Sequence, residues 1–352
     1  MDDNSKILIL RLSALGDTIH TLPLACAIKK EYPNAKIGWV VEDKAQQFVK
    51  NNPVVDKTFV LPKKKWKKRG LSFKNVLEFL AIVRRIKKEN YDIVIDTQQL
   101  LKSSILMPFL GITRKLTHND GREFSWLFAN EFIKSRRKQF DVSYHVVNRN
   151  LEFAQYLGVK DLSVNFVLPK SSGAVVRKIN HLTNGLDRTK KSIVLAPATT
   201  WANKHWEKSN WSKLIEEFQD EYNIILTGSN QDKDLISEIL AGVNNFKGFD
   251  FSGETNLMEL AELYKRVHLV ISPDSGSAHI AWATGVPNVI TIFCATSPSR
   301  TAPFGYKYYS FGANIACSPC MKRKCANKKI PLECTNVINF TKIVNTVKKI
   351  LQ

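Results

Sequence analysis

Val267-His268-Leu269-Val270-Ile271-Ser272-Pro273-Asp274-Ser275-Gly276-Ser277-Ala278-His279-Ile280-Ala281 reads as strand, turn and helix in succession. Val267–Ile271 is short, apolar and rich in β-branched residues, which suits a buried strand. Pro273 cannot extend a ladder, and Asp-Ser-Gly suits a sharp turn with a helix cap. Ala278–Ala283 are mostly small or apolar, and Gly285 and Pro287 stop the helix they form. The N–H groups that open such a helix favour an anion. Gly276 lets a phosphate come close to the backbone, Ser275 adds a hydroxyl, and His279 follows about one turn along. Taken singly, these residues describe a capped turn with a core histidine. Together they predict a diphosphate site.

Working outward, the same strand–helix alternation recurs. Ile7–Leu12, Lys36–Val41, Val54–Leu61 and Tyr91–Asp96 read as strands, separated by helices over Thr18–Lys30, near Lys44–Lys50 and over Phe73–Lys88. A further helix begins near Leu101. From Pro169 to Lys191 the composition shifts to Ser, Gly, Asn, Thr and Lys, and Ser192–Ala196, Tyr222–Leu226 and Asn288–Phe293 then resume the pattern. Alternation of this kind specifies an α/β protein with parallel sheets covered on both faces. The expected division is residues 1–170, a linker over 171–191, a second domain over 192–334, and a closing helix over 335–352 that crosses back to the first domain. Ligand sites are expected at the carboxyl ends of the strands, facing a cleft between the two halves.

Composition narrows the function. The chain has 352 residues, 44% of them hydrophobic, and a net charge of +20. No apolar run approaches the roughly 20 residues of a membrane span. Ile7-Leu8-Ile9-Leu10 is followed at once by Arg11 and reads as a first strand rather than a signal peptide, so a cytoplasmic location is expected. The basic excess includes the dense run Lys63-Lys64-Lys65-Trp66-Lys67-Lys68-Arg69, read as a loop that meets nucleic acid, an anionic membrane surface or a phosphorylated substrate. The embedded Trp66 favours an interface. Nucleic acid is disfavoured, because no recognition motif is present and the aromatics are not interleaved as stacking platforms require.

Three more strand-end loops carry candidate chemistry. Ser13-Ala14-Leu15-Gly16-Asp17 lacks the G-x-G-x-x-G pattern of dinucleotide sites. Its Asp17 suits either a general base or the cap of the next helix. In Thr199-Thr200-Trp201-Ala202-Asn203-Lys204-His205-Trp206, two hydroxyls and a lysine suit phosphate oxygens. Trp206 and Trp211 read as packing rather than a sugar platform. Asp232, after Thr227-Gly228-Ser229, suits ribose hydroxyls or an ordinary helix start. Cys317, Cys320, Cys325 and Cys334 form a cluster that could bind zinc, although the spacing is not that of a standard finger or ribbon. Reduced thiols are the simpler reading in the cytoplasm, and Cys26 and Cys294 stand apart.

These loops resemble, in order and spacing, the ADP-heptose:lipopolysaccharide heptosyltransferases, which are inverting glycosyltransferases of GT-B architecture with two Rossmann-like domains. The resemblance rests on Arg11–Asp17, His20-Thr21-Leu22-Pro23, Asp96-Thr97-Gln98 with Lys102-Ser103, Thr199-Thr200 with Lys204-His205-Trp206, Asp274-Ser275-Gly276 with His279, and Thr296-Ser297-Pro298 ahead of Pro303-Phe304-Gly305. The Thr199–Trp206 loop and the basic run are most similar to heptosyltransferase I. The resemblance implies that Asp17 is the general base. It implies that Thr199, Thr200, Lys204, Asp232, Asp274, Ser275, Gly276 and His279 hold ADP-heptose. It further implies that Ser13, Gly16, Lys63, Lys64, Lys65, Lys67, Lys68, Arg69, Lys102 and Arg122 meet Kdo2-lipid A at the cytoplasmic face of the inner membrane. No metal and no cofactor beyond the donor is expected. The departures are Ser275, where the family usually has Thr, and Gln99, where relatives often have Gly. A later-acting heptosyltransferase (II or III type) and a different nucleotide-sugar enzyme of GT-B type are the alternatives, with a nucleic-acid-binding protein more remote.

Overall fold

The computed structural model describes every residue except 71, 140, 306 and 307. The chain divides into two compact units, Met1–Lys170 and Ser171–Gln352. The first contains strands β1 (Lys6–Leu10), β2 (Lys36–Glu42), β3 (Lys57–Leu61), β4 (Ile93–Asp96), β5 (Arg114–His118) and β6 (Glu131–Ile133). Its helices are α1 (Leu15–Glu31), α2 (Lys63–Arg69), α3 (Phe73–Lys87), α4 (Leu101–Ser104) and α5 (Val146–Tyr156). The second contains β7 (Ser192–Leu195), β8 (Asn223–Leu226), β9 (Phe249–Asp250), β10 (Leu269–Pro273), β11 (Val289–Phe293) and β12 (Tyr308–Gly312). Its helices are α6 (Gly173–Leu182), α7 (Lys208–Phe218), α8 (Lys233–Leu240), α9 (Leu257–Tyr264), α10 (Gly276–Thr284), α11 (Pro298–Thr301) and α12 (Phe340–Leu351).

The two sheets have orders β3-β2-β1-β4-β5-β6 and β12-β11-β10-β7-β8-β9, every pairing parallel. Numbered within its own unit, each sheet follows the same Rossmann-like sequence, and the order reverses between the first and fourth strands. The switch points therefore lie between β1 and β4 and between β7 and β10, where open α/β sheets bind ligands. The central strands β4, β10 and β11 are buried along their whole length, as helices on both faces require. Pro273 closes β10 opposite Ile292, so its missing N–H costs the ladder only at the strand end.

Each unit has its own core. Leu8, Leu10, Val40, Val94 and Ile86 pack together in the first. In the second, Ile193, Leu226, Ile271 and Ile290 meet Trp206 and Trp211, and the closing helix adds Ile343, Val344, Val347 and Leu351. Trp206 lies edge-on to Trp211 (5.2 Å) and is stacked on Phe340 (6.2 Å), so both tryptophans are packing residues. The segment read as a linker forms α6, within the second unit.

Three expectations need correction. The basic run is the helix α2 rather than a loop. Lysine and arginine form helices readily, Gly70 at φ 67° ends the helix, and Glu78 of α3 relieves the charge. Its carboxylate accepts from Lys65 Nζ (2.8 Å), Trp66 Nε1 (2.8 Å) and Arg69 (2.9 Å). Helix α1 begins at Leu15, so Asp17 lies in its first turn. The helix expected near Lys44–Lys50 is a single 3₁₀ turn, Gln46–Phe48. Strands β5 and β6 carry too few apolar residues to stand out from the sequence.

Candidate active site

At the first switch point, α1 begins one loop after β1. Asp17 accepts the Ala14 N–H through Oδ2 (3.1 Å), which is the capping role. A carboxylate has further lone pairs, so capping and general-base duty are compatible. Near it lies Arg11, part of the motif that carries the resemblance but given no role by sequence reasoning. Its buried guanidinium donates to Thr21 Oγ1 (3.1 Å), and the Thr21 hydroxyl donates to the Asp17 carbonyl (2.8 Å). Burial lowers the Arg11 pKa, against the opposing pull of Asp17 and Asp96.

The end of β4 supplies the other wall. Asp96 is buried, and burial raises its pKa although four donors oppose the rise: the amides of Gln98 and Gln99 (3.0 Å each) and the hydroxyls of Ser103 (3.0 Å) and Ser104 (2.8 Å). Gln98 Oε1 accepts the Leu12 N–H (2.8 Å), tying the β4 end to the β1 end. Lys102 Nζ donates to Ser13 Oγ (2.6 Å) and approaches Glu42 Oε1 (3.4 Å), which also takes Lys63 Nζ (2.9 Å). Glu42, at the carboxyl end of β2, was missed. The rule that strand ends face the site was the signal for it.

Of the other basic candidates, Lys65 and Arg69 are engaged by Glu78. The Lys64 amide donates to Asp43 (2.9 Å). Among the described residues, Lys67 and Lys68 show no ion pair, and Gly16 lies in the first turn of α1. The Arg122 amide donates to the Gln99 carbonyl (3.1 Å). Gln99 itself adopts φ 57°, the left-handed region that a glycine enters without strain. Its side chain meets His118 Nδ1 (2.6 Å) and accepts from Arg149 (3.0 Å), bonds that a glycine cannot make.

At the second switch point, Ser275 caps α10 by accepting the Ser277 N–H (3.2 Å), and Gly276 opens the helix. Asp274 is only 3% exposed. Lys204 Nζ donates to its Oδ2 (2.6 Å) and to its carbonyl (3.1 Å). His279 Nε2 lies 3.4 Å from Oδ1, and the Thr301 hydroxyl donates to the same oxygen (3.2 Å). Burial alone would raise the Asp274 pKa, but His279 and Lys204 hold it far below the usual carboxylate range. Lys204 also lies over the Trp201 ring at 4.6 Å. Thr199 and Thr200 are on the same loop, and the Thr199 carbonyl bonds His205 Nε2 (3.0 Å). Asp232 is engaged locally, accepting the Ser229 N–H (2.7 Å) and hydroxyl (2.6 Å). Sequence reasoning found Lys204 and Asp274 but not their pairing, nor Thr301.

Cys317, Cys320, Cys325 and Cys334 line one cavity of about 500 Å³ together with Cys294. Burial pushes the Cys334 thiol up to about 11, and its neighbouring thiols add to the shift. Among the described residues no three His, Cys, Asp or Glu side chains are grouped as metal ligands. No described helix is long and apolar enough to cross a membrane.

Three histidines make stability depend on pH. Burial lowers the pKa of His118, which faces Glu152, Arg149 and Asp120, and likewise those of His205 and His268. Each binds a proton less readily folded than unfolded, where the value is about 6.5. Their contribution is thus complete above about pH 6.5 and shrinks as pH falls below it. Calorimetry at about pH 5 should give a lower Tm than at about pH 7.5, by roughly 2–4 °C per kcal/mol lost. An unchanged or higher Tm in acid would contradict this.

Residues 79–331 match Glycosyltransferase family 9 (heptosyltransferase). The lipopolysaccharide core heptosyltransferase OpsX of Haemophilus influenzae is 30% identical over 305 residues, covering 85% of this chain and 82% of that protein. Lipopolysaccharide heptosyltransferase 1 of Pseudomonas aeruginosa is 28% identical over 327 residues, covering 91% and 87%. The structure of Escherichia coli heptosyltransferase WaaC with ADP-2-deoxy-2-fluoro heptose superposes with a TM-score of 0.71 at 22% identity, over 98% of this chain and 99% of that one. Its GT-B fold is shared. Two Rossmann-like sheets with polar clusters at both switch points, and a family match across most of the length, place the chain in glycosyltransferase family 9, the heptosyltransferases.

Proposed function

We propose that the protein is an inverting transferase that moves L-glycero-D-manno-heptose from ADP-heptose to the Kdo of Kdo2-lipid A, from the cytoplasmic side and peripheral to the inner membrane. The observation that carries this reading is the division of charge between the switch points. The second presents the amides opening α10 beside Lys204, groups suited to a diphosphate. The first presents Asp17 beside a lysine pair suited to an anionic acceptor. In the proposed step Asp17 takes the proton of the acceptor hydroxyl. That oxygen bonds to the anomeric carbon from the face opposite the diphosphate, and the carbon–oxygen bond to ADP breaks with inversion. The electron pair leaves on the β-phosphate oxygen, where the α10 amides and Lys204 stabilise it. Thr199, Thr200, Ser275 and His279 complete the donor site, with Asp232 near the ribose. Ser13, Gly16, Lys63–Lys65, Lys67–Arg69, Lys102 and Arg122 meet the acceptor.

Incubation with ADP-heptose and Kdo2-lipid A tests this, with a product heavier by one heptosyl residue expected. Transfer only to an acceptor that already bears heptose would assign the later step instead. Lys102→Ala should raise the acceptor KM about tenfold, since charged hydrogen bonds contribute about 1.5–3 kcal/mol. The donor KM should stay unchanged, and a rise confined to the donor would misplace Lys102.

A further inference from the structure

Helix α3 carries two apolar stripes. Phe79, Ile82 and Ile86 pack against the first unit's core. Phe73, Val76, Leu77 and Leu80, spaced for a single helical face, are 75, 50, 49 and 36% exposed. Phe109, which lies edge-on to Phe79 of the core-facing stripe at 5.9 Å, is itself 47% exposed. A solvent-facing helix half with four large apolar side chains in register marks a contact surface.

Beside it lies α2, none of whose residues is buried. Hydrogen bonds from Lys65, Trp66 and Arg69 fasten it to Glu78 of α3 and hold that carboxyl down at about 2, so the clasp stays charged at any working pH. From Lys63 to Lys88 the chain has eleven Lys and Arg against one acid, Glu78. A face so positive repels a second copy of itself, and the apolar stripe gains nothing from a nucleic-acid backbone. Both features are used at once by the headgroup zone of an anionic bilayer.

We propose that the α2–α3 hairpin docks on an anionic phospholipid bilayer. The stripe from Phe73 to Leu80 sinks to the level of the upper acyl chains, Lys74 lies among the headgroup phosphates, and Lys64, Lys67 and Lys68 meet phosphates at the same level, those of the acceptor lipid included. This deepens the reading of the acceptor as a lipid and rests on it. Lys63 joins the same hairpin to Glu42, and through it to Lys102 and Ser13, so the docked surface borders the acceptor residues.

The test is co-sedimentation of the full chain with vesicles. Wild type should bind mixed phosphatidylglycerol–phosphatidylcholine vesicles at least about tenfold more tightly than pure phosphatidylcholine. Phe73→Glu with Leu77→Glu should lose at least about tenfold on the anionic vesicles. Because both positions are exposed, its Tm and its turnover on a water-soluble, deacylated Kdo acceptor should match wild type. Wild-type vesicle binding by the double variant would overturn the proposal. So would a wild-type dimer, seen by sedimentation velocity, that the double variant dissociates. Vesicle binding that follows the expected pattern without heptosyl transfer would support the docking surface and strike only the functional reading.

Discussion

Asp17→Ala should lower kcat by about 10²–10⁴-fold, the range that a positioned general base contributes, while calorimetry finds donor affinity unchanged. The observed cap and the proposed general base make distinct demands on this carboxylate. As a cap it holds one amide, that of Ala14, and losing such a bond costs about 1 kcal/mol of stability, too little to unfold a unit with its own sheet and core. As a base it must accept the acceptor's proton during displacement, and no neighbour replaces that function. Arg11 donates to Thr21, whose hydroxyl holds the Asp17 main-chain carbonyl, and these bonds survive the substitution. Asp17→Asn keeps the shape and some of the capping but cannot take the proton, so it should match Asp17→Ala in rate and exceed it in stability. Turnover within a fewfold of wild type in both variants would leave Asp17 as a cap alone.

Lys204→Ala should act on both stability and donor binding. Its ammonium is the nearest full positive charge bonded to Asp274, a carboxylate that is almost wholly buried. Removing one partner of a buried pair costs up to about 3–5 kcal/mol, and here less, because His279 and Thr301 still face the Asp274 carboxylate. Denaturant unfolding should therefore show a larger loss for Lys204→Ala than for Lys204→Met combined with Asp274→Asn, which removes both charges. The sign with pH follows from the depressed pKa of Asp274. Its stabilisation is complete above the unfolded value of about 3.9 and is lost as pH falls below that, so the wild-type pair persists through the neutral range. Donor affinity should drop about tenfold to a hundredfold, roughly 1.4–2.7 kcal/mol, through the lost charge beside the α10 amides. Unchanged ADP-heptose affinity in a folded Lys204→Ala protein would remove the residue from the diphosphate site.

The architecture was readable where burial imposes composition. Strands covered on both faces, such as β1, β4, β10 and β11, must be runs of Ile, Val and Leu, and they announce themselves. Arg114-Lys115-Leu116-Thr117-His118 does not, because its buried end is polar: His118 is satisfied by Gln99 and Glu152, partners that lie on other elements. The basic segment misled for a related reason: its helix is secured by Glu78 from the next element, and no local pattern reveals a clasp made at a distance. The candidate residues were legible by type, but their pairing was not. Lys204 and Asp274 are 70 positions apart and meet because β7 and β10 are neighbours in the sheet. Glu42 is another product of topology, placed beside Lys102 by the adjacency of β2, β1 and β4.

Glu42 has a consequence for selectivity. Two lysines share this one carboxylate, so a single positive charge remains where two would otherwise repel each other. A visiting group must compete with a resident carboxylate for those ammonium donors. A neutral sugar hydroxyl is a poorer acceptor than the one it would displace and gains nothing by the exchange. A phosphate or a pair of carboxylates does gain, so, with the acceptor bound as proposed, Glu42 turns a merely sticky cationic corner into a filter for strongly anionic guests.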